Sequence, residues 1–131
     1  MSTSKRILII DDDIDFVRQK RAVLERHGYE VLSAHTGDQG LDVAREMKPD
    51  AIILDYMIDT PTAGAPVAQK LREEEALRRT PILLATAMRS VKPWIEGFAP
   101  NEDWLPVDKV LDKPVSAETL LAEIAQALAE R

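Results

Sequence analysis

Cysteine is absent from the 131 residues. Disulfides, zinc–thiolate centres and thiol catalysis are therefore excluded. Histidine is scarce: His27 and His35 are too few for a histidine-rich metal site, and both read as surface residues. Aromatic residues make up only 5%, two each of Trp, Tyr and Phe. Long hydrophobic runs are missing too. The opening Met1 to Arg6 leads into only four apolar residues, Ile7 to Ile10, so the start reads as neither a signal peptide nor a membrane span. Positive charge is in deficit, with 17 Lys and Arg against 23 Asp and Glu and a net charge of −6. That balance disfavours nucleic acid and anionic membrane as partners. What is present, 45% hydrophobic and 31% charged residues, suits one ordinary globular domain, and the length is too short for two cores. The expectation is a single-domain cytoplasmic protein.

Short apolar runs alternate with amphipathic segments along the chain. Residues 7–10, 51–54 and 82–85 are continuous and rich in Ile and Leu, as strands buried on both faces of a parallel sheet would be. Residues 30–34 and 109–112 are two weaker strand candidates. Between them the period lengthens. Over 14–27, Phe16 and Val17 recur seven positions later as Val23 and Leu24, with Lys20 in the middle turn, its stem on apolar neighbours and its ammonium wet. Gly28 stands where a glycine ends a helix. Further helices are expected over 38–48, stopped by Pro49, over 67–79, and over 116–130 with Ser116 as N-cap. Pro93, Pro100 and Pro106 interrupt residues 88–107, where a short helix and an extended loop are expected. The alternation implies one doubly wound α/β domain, a five-stranded parallel sheet with helices on both faces.

Ligands of open parallel sheets bind beyond the carboxyl ends of the strands. After the first run come Asp11, Asp12 and Asp13; after the third, Asp55; after the fourth, Thr86; after the last, Lys113 and Pro114. Clustered carboxylates stay charged only beside a cation, and an all-oxygen donor set suits a hard ion, Mg²⁺ best of all. A carboxylate is also a phosphoryl acceptor, and an ammonium with a hydroxyl can bind phosphoryl oxygens. The group reads as a site for phosphoryl transfer onto an aspartate. Asp13 reads as a helix cap, Asp59 as a solvated loop residue. Taken alone, Asp11–Asp13 could equally be a solvated turn, and Thr86 an ordinary β-branched strand residue.

The order of these residues resembles the receiver domain of two-component response regulators over essentially the whole chain. The motifs are Ile7-Leu-Ile-Ile-Asp11-Asp12-Asp13, Pro49-Asp-Ala-Ile-Ile-Leu-Asp55, Pro81-Ile-Leu-Leu-Ala-Thr86-Ala87, Leu111-Asp-Lys113-Pro114 and His27-Gly28-Tyr29-Glu30-Val31. The resemblance implies the flavodoxin-like receiver fold with strand order 2-1-3-4-5. It implies that Asp55 accepts a phosphoryl group from a histidine kinase or phosphotransfer protein. It further implies that Asp12, Asp55 and the main-chain carbonyl of Met57 contact Mg²⁺, with Asp11 acting through water, and that Thr86 and Lys113 bind phosphoryl oxygens. As no effector domain follows the last helix, the expectation is a stand-alone receiver over 1–131 that turns over no external substrate.

Several positions depart from the family pattern. Gly64 comes one position late after Asp55, position 59 lacks the usual proline, and the stretch from Thr86 to Lys113 is longer than usual. Val110 stands where a switching aromatic is common, so output to a downstream partner is expected to pass through residues 88–107 instead. Trp94, Phe98 and Trp104 there are either an interface or pins to the core. Arg18, Lys20, Arg21 and Arg26 are either a kinase-facing patch or a solvated helix face. In receivers the side chains two positions after the phosphoacceptor and two after the conserved Thr lie beside the approach of a hydrolytic water, so the resemblance implies that Met57 and Met88 stand there. A thioether cannot activate water, and slow self-dephosphorylation is expected. Two other classes compete: a haloacid-dehalogenase-like phosphatase using Asp11 and Asp13, and a pseudo-receiver that only binds partners. A flavodoxin-type flavin binder is weaker, because no Ser/Thr/Gly-rich loop follows the first strand.

Overall fold

The computed structural model describes residues 4–56, 64–86 and 106–130, and of Thr86 the backbone alone. In chain order the elements are β1 (Arg6–Ile10), α1 (Ile14–Arg26), β2 (Glu30–Ala34), α2 (Gly37–Met47), β3 (Ala51–Leu54), α3 (Gly64–Glu73), a 3-10 turn (Glu75–Leu77), β4 (Ile82–Thr86), β5 (Lys109–Asp112) and α4 (Ala117–Ala129). All five strands run parallel, in the order β2-β1-β3-β4-β5. This is the doubly wound α/β sheet expected from the sequence.

The apolar runs are continuous because both faces of the sheet are covered. Ile7, Ile9, Ile53, Leu83, Ala85 and Leu111 point to one side, where α1 lays Phe16, Val17 and Leu24 and α4 lays Leu120 and Ile124. Leu8, Ile10, Ile52, Leu54, Ile82 and Leu84 point to the other, against Leu41 and Ala44 of α2 and Val67, Ala68 and Leu71 of α3. Alternate residues of one strand thus serve opposite cores, and residues 7–10, 51–54 and 82–85 hold no polar position.

The helices begin where side-chain oxygens satisfy their first amides. Asp13 accepts from Phe16 N at 3.1 Å, Thr36 from Gln39 N at 3.1 Å, and Ser116 from Thr119 N at 3.1 Å. Gly28 follows α1 with φ +89°, a left-handed conformation that suits glycine.

Two expectations are corrected. The helix foreseen over 67–79 starts earlier, at Gly64, and ends at Glu73. Glu74 is extended, and the Arg72 guanidinium gathers the carbonyls of Leu77, Arg78 and Thr80 while pairing with Asp108 at 2.8 Å. One cation thereby satisfies backbone acceptors that would otherwise need a further helical turn. Lys20 is the second correction: its ammonium is not wet but buried, donating to the Val115 carbonyl.

Of the 88–107 stretch, residues 88–105 lie outside the described residues, and Val107 packs into the core with Leu84 and Leu77. Among the described residues no helix is long and apolar enough to cross a membrane.

Candidate functional site

Register brings the acids together. Ile10 of β1 lies beside Leu54 of β3, so the next residues, Asp11 and Asp55, leave the sheet side by side. Main-chain bonds carry the ladder one step further: Asp11 N donates to Ala34 O and Asp55 N to Ile10 O, each at 3.0 Å. Both carboxylates are buried, with 1% and 6% of their residues exposed, whereas Asp12 is exposed. Oxygens from Asp11, Asp12 and Asp55 all lie within 4.8 Å of one another.

Lys113 enters from the end of β5, two strands from β3. Its ammonium is 2.8 Å from Asp11 Oδ2 and 3.7 Å from Asp55 Oδ2. Phe16 lies beneath it, with the ring centroid 4.2 Å from Lys113 Nζ, a cation–π contact. Lys113 precedes Pro114 through a cis peptide bond. The register Thr86↔Asp112 brings the Thr86 backbone level with the residue before Lys113. Its hydroxyl, like Met57, Asp59 and Met88, lies outside what is described.

Asp13 is a helix cap, as expected: its carboxylate holds Phe16 N, and its own N–H donates to Asp11 Oδ1 at 2.9 Å. One oxygen of the Asp13 carboxylate is thus engaged at the start of α1. His27 and His35 are both exposed, and His35 Nδ1 sits 3.2 Å from the Asp11 carbonyl.

Gly64 gains a reason that spacing did not reveal. A Cβ there would lie 2.5 Å from Tyr56 Cα and 2.6 Å from Asp55 O, both backbone atoms. Gly64 N also donates to Tyr56 O at 2.7 Å. The start of α3 is thus pressed on the main chain that carries Asp55. Beside it, burial pushes the Tyr56 hydroxyl pKa above its ordinary value. Phe16 under Lys113 and the Lys20–Val115 contact also escaped the sequence pattern; a lysine in the middle of an apolar helical face was the one signal available.

Three carboxylates face one ammonium, so the cluster retains excess negative charge if all four groups are ionised. Its donors are oxygens only and closely spaced, which fits a hard divalent cation such as Mg²⁺.

A family profile of the response regulator receiver domain matches residues 7–125. Among curated proteins, the DNA-binding dual master transcriptional regulator RpaA of a Synechocystis strain is 36% identical over 119 residues, which cover 91% of this chain and 47% of that protein. The chain thus spans about half the length of that relative. Protein PilH of Pseudomonas aeruginosa is 31% identical over 126 residues, covering 95% of this chain and 98% of PilH. Among solved structures, the chemotaxis response regulator CheY4 of Vibrio cholerae superposes with a TM-score of 0.80 at 30% identity, over 95% of this chain and 99% of that one.

Proposed function

The chain belongs to the response regulator receiver family, and we propose that within it Asp55 accepts a phosphoryl group from a histidine kinase or phosphotransfer protein, with Mg²⁺ as cofactor. One observation carries the reading: the buried Asp55 carboxylate lies within 4.8 Å of Asp11 and Asp12 oxygens and 3.7 Å from the Lys113 ammonium. An Asp55 oxygen attacks phosphorus, and a P–O bond forms as the P–N bond of the donor phosphohistidine breaks. The bonding pair returns to the imidazole nitrogen, and the product is an acyl phosphate.

Asp12, Asp55 and the Met57 carbonyl would hold Mg²⁺, with Asp11 acting through water; when bound, the ion supplies charge neutralisation for phosphoryl oxygens. Lys113 and the Thr86 hydroxyl bind the remaining oxygens. The added charge of about −1.5 to −2 is the signal, and output to a downstream partner runs through residues 88–107. The protein is a switch and turns over no external substrate.

Intact-mass spectrometry with phosphoramidate and Mg²⁺ tests the assignment. The wild type should gain one phosphoryl group, and Asp55→Asn should gain none. A wild type that stays unlabelled would indicate a receiver that only binds partners; labelling that persists in Asp55→Asn would move the acceptor elsewhere.

A further inference from the structure

Lys20 is a buried cation with an unusual position. It lies on the inward face of α1 with Phe16, Val17 and Leu24, and its residue is 9% exposed. Among the described residues no carboxylate is within ion-pairing distance of it; its ammonium donates to the Val115 carbonyl instead. Burying an ammonium without a counter-charge is unfavourable, and an apolar side chain of similar length would fill the same space without that penalty. The residue therefore calls for a role beyond packing.

Val115 supplies one. The segment from Lys113 to Val115 joins the end of β5 to Ser116, the N-cap of α4. One end is held by the β4–β5 ladder at Asp112 and the other by the Ser116 cap. Between them, the Lys20 bond ties the main chain to α1. The same Phe16 ring has Lys113 Nζ at 4.2 Å and Lys20 Nζ at 5.5 Å from its centroid. Two like charges beside one ring repel, so the tie to Val115 keeps Lys20 in a place that Coulomb's law alone disfavours.

We propose that Lys20 is a positioning residue for Lys113: by holding the Val115 carbonyl it fixes the 113–115 turn, and thereby the Lys113 ammonium over Asp11 and Asp55. The inference deepens the phosphoacceptor reading and rests on it. Lys20 does not touch the reacting groups; it acts through the turn. Its own charge also reaches the site, and a double-mutant cycle separates the two effects, since a field persists without Lys113 and positioning does not.

The experiment compares Lys20→Met and Lys20→Arg, each alone and combined with Lys113→Met. The phosphorylation rate with phosphoramidate and Mg²⁺ is read by intact mass. Lys20→Met should slow labelling about ten-fold alone and by less than about two-fold in the Lys113→Met background. Lys20→Arg, which can still donate to Val115, should keep most of the rate. An unchanged rate in Lys20→Met, or an equal loss in both backgrounds, overturns the proposal. Thermal melts exclude a loss of fold: Lys20→Met should melt at or above the wild-type temperature, and Lys20→Gln replaces it in the cycle if it does not.

Should the wild type fail to label at all, the phosphoacceptor reading falls, and Mg²⁺ titration by calorimetry on the same proteins judges the positioning role by itself. A Lys113 held less firmly competes less for Asp11 and Asp55, so Lys20→Met should bind Mg²⁺ about three-fold tighter. That gain should vanish in the Lys113→Met background. Equal gains in both backgrounds would show a field effect and sink the positioning role.

Discussion

Replacing Asp12 by Asn tests the electrostatics of the cluster directly. Asp11, Asp12 and Asp55 offer oxygens within 4.8 Å of one another, and Lys113 pairs with the first and third. Asp12 is thus the carboxylate that Lys113 does not reach by an ion pair. At 4.8 Å, two unit charges repel by about 0.9 kcal/mol in water and by about 3.5 kcal/mol at an effective permittivity of 20. Asp12 is exposed, which favours the lower end, and Lys113 offsets part of the charge it meets. A relief of about 1 kcal/mol follows, a rise in melting temperature of about 3–6 °C for a domain of this size. The wild type should be stabilised by about 2.7 kcal/mol when Mg²⁺ is present at about a hundred times its dissociation constant. Asp12→Asn should lose most of that response while starting from a more stable metal-free state. Thermal melts with and without Mg²⁺, at constant ionic strength, read both quantities. If wild-type melts coincide with and without Mg²⁺, or if Asp12→Asn lowers metal-free stability, the carboxylates are not a strained cation site.

Gly64→Ala should destabilise the domain by about 1–3 kcal/mol, because the new Cβ meets backbone rather than a yielding side chain; urea denaturation measures it, and a neutral result would mean that the start of α3 shifts at little cost. The pH dependence of stability has its own signature at Lys20. Burial first, and the Lys113 charge second, hold its pKa below the ordinary 10.5. Between that lowered value and 10.5 the unfolded chain binds the extra proton, so stability should rise with pH across this window. Lys20→Met should remove that rise; urea midpoints from pH 8 to 10 compare the two proteins.

Much of the fold was legible because one physical condition, coverage of both sheet faces, leaves an unbroken apolar run in each central strand. The rule that ligands gather at strand carboxyl ends then singled out Asp11, Asp12, Asp55 and Lys113 without reference to contacts. Caps were legible for the same local reason: Asp13 and Ser116 precede apolar periodicity by the distance that a first-turn amide requires. Other features depend on partners distant in sequence. The end of α3 is decided by Arg72 reaching carbonyls as far as Thr80 and the carboxylate of Asp108. Gly64 is needed because of Tyr56, and Lys20 is buried because Val115 lies 95 residues away with a carbonyl to offer. No periodicity in a single sequence contains these pairings.

The same contacts explain why one short stretch bears so much of the site. Asp11 turns out of β1 with its Oδ1 held by Asp13 N, and Asp13 in turn caps α1. That cap sets where α1 begins, and therefore which residues face inward one and two turns on: Phe16, beneath Lys113, and Lys20, on the Val115 carbonyl. The chain of contacts closes when Lys113 returns to Asp11 Oδ2. Asp55 sits beside this ring, joined to it through the β1–β3 ladder and the Lys113 ammonium. Under the proposed phosphorylation, a charge gained on Asp55 would pull on Lys113, which rests on Phe16 of α1 and leads into α4, two helices on the same face of the sheet. Such a pull would act on packed elements rather than on a lone surface side chain, as a switch requires.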